Sequence, residues 1–374
     1  MLSASRAYKA ILVAGVAALG LNCTAVSLAS AKPKPAAVAP APPPPQVAPP
    51  ITLSAQALQD ASAFRAYTKH AEALTAGFTN GEGVEQELAV GAAYEPQQLS
   101  RGAIAYAALL ALQDPTFVAA VKPYALDPAG RHELAQKLVA DPRYVIAFKG
   151  ADSAAGMIVA TMGAETGRMK AAAAEIKQSA YSVQHSAWSK TKVLNPASRL
   201  ASTKTASEAV MASDNDDMAQ LKISETGATD AQAAQVLAVK GVAIQGPYQP
   251  VVERGLALAA VAILGEAGDD NAANVSALTT EQTSHACLRM SKLNLYQCLA
   301  VAVPWYEDIF CLGEHALAET ASCVAKEAGS PDQLQLAQGL PVAPPVTVAS
   351  AAPTETAAAP AKTAKHKRHR TSAQ

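Results

Sequence analysis

From Ser54 to Gly329 apolar positions recur at intervals of three and four residues, the period of helices that bury one face. Ser54 can cap a first helix that turns Leu58, Phe64, Tyr67 and Leu74 towards a core. A longer run from Gly150 to about Trp188 places Ile158, Met162, Met169, Ala173, Ile176, Ala180 and Val183 on one side. Arg168, Lys170, Glu175 and Lys177 lie opposite. Asp114-Pro115, Asp127-Pro128 and Asp141-Pro142 each combine a capping carboxylate with a proline at the first helical position, so each predicts a helix start. Ala103–Leu112 and Leu256–Leu264 are apolar all round but only 9–10 residues long. That length suits buried core helices and is too short to span a bilayer. No stretch alternates with the period of a strand.

The two apolar runs sit in similar surroundings. Leu88-Ala89-Val90, Tyr94-Glu95-Pro96 and Arg101-Gly102 precede the first; Leu237-Ala238-Val239, Tyr248-Gln249-Pro250 and Arg254-Gly255 precede the second. The order repeats again in Pro142, Tyr144 and Phe148 against Pro304, Tyr306 and Phe310. This predicts an all-α multi-helix bundle of two similar halves, about 53–189 and 229–330, joined by a polar, partly helical connector, 190–228. Gly102 and Gly255 would let a neighbouring helix approach each central helix closely. Composition agrees: half the chain is apolar, yet only 5% is aromatic, which disfavours a β-sandwich and favours close-packed, alanine-rich helices.

The ends read differently. Residues 1–31 have the pattern of a signal peptide: Arg6 and Lys9, an apolar core Ile11–Leu21, then Ala29-Ser30-Ala31 as a small-x-small cleavage site. A lipid anchor on Cys23 fits less well, because Leu21-Asn22 is not a small-residue lead-in. Residues 32–52 form a Pro/Ala-rich disordered tether, and 331–374 a disordered Ala/Pro-rich tail. The tail ends in Lys365, Lys367, Arg368 and Arg370. The formal charge of −1 hides an asymmetry, since residues 51–337 carry 21 Lys/Arg against 30 Asp/Glu. An acidic body with a basic tail argues against specific nucleic-acid binding. The tail suits contact with an anionic polymer or a lipid headgroup, or docking on the chain's own acidic body. The partner expected is an envelope component: such a polymer, a headgroup or a protein. The chain is expected in the periplasm or secreted, with no transmembrane helix once the leader is removed.

Beyond Cys23 there are four cysteines, all within 37 residues: Cys287, Cys298, Cys311 and Cys323. An even number in an exported chain predicts two disulfides. Both nested pairs, Cys298 with Cys311 and Cys287 with Cys323, centre on Pro304-Trp305, where a helical hairpin would turn. The 11-residue step from Cys287 to Cys298 returns to the same helix face within about 20°, whereas the 12-residue step from Cys311 to Cys323 overshoots by about 120°.

Chemistry is sparse. There is no G-x-S-x-G elbow, phosphate-binding loop or H-E-x-x-H pair, and no catalytic, cofactor or metal residue is assigned. Cys311 with His315, and Cys287 with His285, are the alternative metal reading of the cysteines. Asp214, Asp216 and Glu225 fall at calcium-loop positions, but Met218 and Ala219 stand where a ligand and the turn glycine are needed. Arg101 and Arg254 each need a partner near the start of a buried helix, either a structural carboxylate or a bound anion. Glu133, Glu165 and Glu314 are lone carboxylates that no spacing pairs. The sequence therefore favours an exported, non-enzymatic envelope protein that binds or scaffolds. A cell-wall glycan hydrolase and a small-ligand or lipid carrier are the alternatives.

Overall fold

A computed structural model describes residues 47–218, 221, 239 and 241–329. Among them the regular structure is helical, apart from one bridge between Lys192 and Pro304. The start signals act through their side chains. Ser54 Oγ accepts from the Ala57 amide ahead of α1 (Ala55–Glu72), and Asn80 caps α2 (Gly81–Gly91) in the same way. Glu95 accepts from the Gln97 and Gln98 amides at the head of α3 (Pro96–Ala111). Asp114 and Asp127 do so for α4 (Pro115–Val121) and α5 (Pro128–Ala140). The third Asp-Pro pair departs from expectation, opening only a 3-10 turn, Pro142–Ala147. Phe148 is extended and Gly150 takes φ 84°, which leaves no room for an α-helix before the next element. Gly150 is also where the chain touches α4: a Cβ there would lie 2.5 Å from the Phe117 amide nitrogen. From it starts α6 (Ala151–Val183), which ends five residues short of Trp188.

The connector contains α7 (Pro196–Glu208), and the second half begins with α8 (Pro250–Ile263), α9 (Ala272–Thr279) and α10 (Gln282–Val301). A last helical rod follows: α11 (Trp305–Cys311), a π-helical segment (Leu312–Ala318) and α12 (Glu319–Glu327). No single described helix is long and apolar enough to cross a membrane. The two apolar runs form the centre, with every residue from Ile104 to Leu112 and from Leu256 to Leu264 buried. Each Leu or Ile hidden there contributes roughly 1.5–3 kcal/mol. Both expected glycine contacts are present. A Cβ at Gly102 would crowd the Asp60 carbonyl and come within 2.8 Å of Phe64 Cβ, so α1 and α3 touch backbone to side chain. A Cβ at Gly255 would lie 2.6 Å from Ala107 Cβ, so α8 packs directly on α3. Gly255→Val should therefore destabilise by about 1–3 kcal/mol through overpacking. Denaturant titration would check it, and an unchanged midpoint would mean that the seam can open without cost.

The disulfides are Cys287–Cys323 and Cys298–Cys311, the nested pairing, with Cα separations of 5.8 and 5.7 Å. The π segment removes the phase problem. A π turn takes one more residue than an α turn, so the 12-residue step covers about the rotation of 11 α-helical residues. It then matches the step on α10. This widened turn is held by its surroundings. Gly313 fits against α6, where a Cβ would meet the Ala173 carbonyl at 3.0 Å and Lys177 Cγ at 2.7 Å. Carbonyls of the π segment are taken from outside the rod: Ser291 Oγ donates to His315 O at 2.6 Å and Tyr67 OH to Ala316 O at 3.3 Å. Tyr94 OH lies 2.8 Å from Thr320 Oγ1 and 3.3 Å from Ser291 Oγ, which closes the network.

Part of the expected connector is a docked helix. In α7 the buried residues are Arg199, Thr203 and Ser207, a stripe of period four that is polar. Arg199 Nη1 lies 2.6 Å from both carboxylate oxygens of Asp308, and Nη2 donates to Leu299 O. Ser207 meets the buried Lys292, whose Nζ is 3.0 Å from Ser207 Oγ and 3.5 Å from the centre of the Tyr94 ring. Lys292 also donates to Ala92 O. Burial pushes the Lys292 ammonium well below its usual range, with Glu95 opposing.

Candidate binding groove at the stapled hairpin

The turn of the hairpin is fixed from two sides. Trp305 packs on α2 at Gly81, where even a Cβ would come within 2.5 Å of its ring. The segment before α7 pairs with the turn: Val193 N donates to Val303 O at 2.9 Å, and Glu307 accepts from Val303 N at 2.9 Å. Between this turn and the end of α6 lies an open groove of about 410 Å³. Ala180, Tyr181 and Gln184 of α6 form one wall; Val301, Tyr306 and Phe310 of the hairpin form the other. The Cys298–Cys311 disulfide lines it, with Cys311 fully buried and Cys298 half-buried. Tyr181 and Phe310 meet edge to face at 6.3 Å. Beyond Tyr181 a second depression of about 380 Å³ continues between α6 and α12, past Lys177 and Gln178 to Ser322. Lys177 is ion-paired with Glu314 and sits 5.6 Å from the centre of the Phe310 ring.

The groove's lining includes the exposed apolar residues Val301, 77% exposed, and Tyr181, 52%, with Gln184 and Glu307 as polar members. Next to it along the chain Val303 is 50% exposed, and Leu194, following the Val193 that bonds Val303, is 89% exposed. Scattered apolar side chains are ordinary on a surface, but a contiguous set marks a contact site. Val301 and Val303 belong to a cross-linked turn, so little conformational entropy remains to be lost on binding there. The groove offers apolar contact area and aromatic edges, with no arrangement of nucleophile and base.

The residues singled out from sequence are placed as follows. Arg101 Nε is 2.9 Å from Asp60 Oδ2. Arg254 Nη1 donates to the Ala277 and Leu278 carbonyls at 3.1 Å, closing the C-terminal end of α9. The two arginines thus hold different elements and do not converge on one site. Lys365, Lys367, Arg368 and Arg370 lie outside the described residues. The three carboxylates are not brought together either. Glu133 is exposed on α5, and Glu314 pairs with Lys177. Glu165 accepts from Tyr106 OH at 2.8 Å, and burial raises its carboxyl above the usual range. Asp214 accepts from the Asp216 and Asp217 amides, while Glu225 falls outside the described residues. Cys287 and Cys311 are committed to disulfides, and His315 Nδ1 lies 2.9 Å from Glu319. Among the described residues no three His, Cys, Asp or Glu side chains cluster as a metal site would require.

Sequence reasoning missed Tyr181, Val301, Arg199 and Asp308. For Arg199 a signal existed, because Arg199, Thr203 and Ser207 recur at one helix turn immediately after Asn195-Pro196. Compared with known proteins, the chain matches no family model, no curated protein and no solved structure.

Proposed function

We propose that this chain is an exported, non-enzymatic protein of the cell envelope that binds a protein partner at the stapled hairpin. The observation that carries this reading is the disulfide-lined groove with the exposed Tyr181 and Val301 in its lining, beside the exposed Val303 of the turn and Leu194 of the segment paired with it. Water leaves such a surface readily, and its aromatic edges suit the core of a protein interface. Two disulfides accord with an oxidising compartment, and residues 1–31 with a leader that delivers the chain there. The basic tail then adds salt-sensitive attraction to anionic envelope material.

Expression with the native leader followed by N-terminal sequencing should return periplasmic protein beginning at Lys32. A photo-crosslinking residue placed at Val301 or Leu194 should yield a discrete adduct in intact cells, and one at Glu133 on α5 should not. Cytoplasmic retention with free thiols would defeat the export part of the reading. Equal labelling from all three positions would defeat the interface part.

A further inference from the structure

The hairpin groove is one end of a longer trough that runs along a face of the terminal rod. Tyr306 and Phe310 on α11 line the groove, and Ala318 and Ser322, farther along the rod, line the depression that continues it. Tyr181 of α6 lines both, so the two form one path. That path leads to the place where the described chain leaves the fold. The last helix ends at Glu327, about two turns short of which lies Ser322. Gly329, at φ 66°, then carries the chain off the rod axis beside Gln249. From Gly329 back to Tyr306 the rod measures on the order of 34 Å at about 1.5 Å per residue. A chain in the extended polyproline conformation covers that distance in about eleven residues at roughly 3.1 Å each. It therefore reaches Tyr306 with Leu340, immediately before Pro341-Val342-Ala343-Pro344-Pro345.

We propose that the groove is covered by the chain's own tail, with Pro341–Pro345 seated as an extended strand against Tyr306, Phe310 and Tyr181. The inference rests on the contact site proposed above and gives it a regulator, since a protein partner there must displace the tail. Proline rings hold such a segment extended before it docks, so little freedom is lost, and its carbonyls have no partner within the strand. Grooves walled by aromatic side chains suit it for that reason. Tyr181 and Phe310 form an angled pair of rings at 6.3 Å, and the Tyr181 and Tyr306 hydroxyls and the Gln184 amide are donors for carbonyls. Attachment at Gly329 holds the segment near the groove at an effective concentration on the order of millimolar, so a weak contact suffices. The other proline-rich segment, residues 32–46, starts from a different place. Pro49 seats against Gly265, at the end of α8 opposite Gln249.

The test uses the full mature chain, purified as a monomer, with a photo-crosslinking residue at Val301. Irradiation should join Val301 to the tryptic peptide 327–362, and the same residue at Glu133 should not. Pro341→Ser, Pro344→Ser and Pro345→Ser made together should cut the yield about fivefold or more. They should also raise hydroxyl-radical labelling of Tyr181 about twofold, by uncovering it. Tyr181→Ala tests the contact from the groove side and should lower the yield as well. In intact cells the triple proline variant should increase the partner adduct formed from Val301. A partner adduct in cells without any tail cross-link would sink the tail inference alone. A tail cross-link with no partner adduct in either form would instead sink the contact-site reading and leave the tail docked. Cross-linking to residues 32–46, cross-linking only between two copies, or a yield unchanged by the proline substitutions would each overturn the proposal.

Discussion

Arg199→Met is expected to cost about 3–5 kcal/mol of unfolding free energy at neutral pH, the penalty for leaving one member of a buried ion pair alone. The side chains of Arg199 and Asp308 are 2% and 0% exposed, so neither charge can turn to water. Arg199 also joins three elements, since it stands on α7, grips Asp308 on α11 and donates to the carbonyl of Leu299 on α10. Pairing Arg199→Met with Asp308→Leu should recover most of the loss, because an apolar pair of similar volume needs no partner. Urea titration of both variants would decide the matter. A double variant as unstable as the single one would locate the cost in lost packing.

The same pair gives a pH signature. Burial pushes the Asp308 carboxyl from 3.8 up to about 7, against the pull of Arg199. A carboxyl raised in the folded state holds its proton more tightly there than in the unfolded chain. Its contribution to stability is therefore complete below about pH 4 and is lost as pH rises towards 7. Arg199→Met removes the main force opposing burial, so this fall should extend to higher pH. Stability measured from pH 4 to 8 in the wild type and the double variant isolates the effect, which should vanish when Asp308 is absent.

The second large effect belongs to the inner staple. Replacing Cys298 and Cys311 together by serine should lower stability by roughly 3 kcal/mol, the loop-closure value for a span of this size. The loop encloses the turn at Pro304-Trp305, with a sequence separation of 13. The outer bond spans 36 residues but closes a chain that the inner bond already restricts. Its removal alone should cost less than its length suggests. Calorimetry of the two serine pairs would rank them, and non-reducing peptide mapping should recover only Cys298–Cys311 and Cys287–Cys323. A mapped Cys287–Cys298 bond would break the hairpin assignment outright.

Where sequence and structure part company, the reasons are physical. Two of the three Asp-Pro starts and the central helices were legible because a cap and an apolar run act locally. The nested disulfides were legible from symmetry about Pro304-Trp305, but the phase of Cys323 was not. A π turn is selected by what surrounds it, here Gly313 against α6 and hydroxyls from Ser291 and Tyr67, and no local pattern announces that. The connector was legible as partly helical, but the docking of α7 was not. Its buried face is Arg199, Thr203 and Ser207, and a search for apolar periodicity cannot see that. The hairpin groove joins Tyr181 to Val301 and Phe310 across more than a hundred residues of chain, and only packing brings them together.

The π segment also bears on how this chain can change over generations. Counted along the chain, it is one residue more than the disulfide register needs on plain α-helix. A sequence lacking one residue between Cys311 and Cys323 could close both bonds on plain α-helix. It would return the freed carbonyls to the rod and leave Ser291 and Tyr67 without those acceptors. Length variation at this point is thus coupled to the polar residues on α10 and α1. A gap in one should travel with apolar replacements in the others.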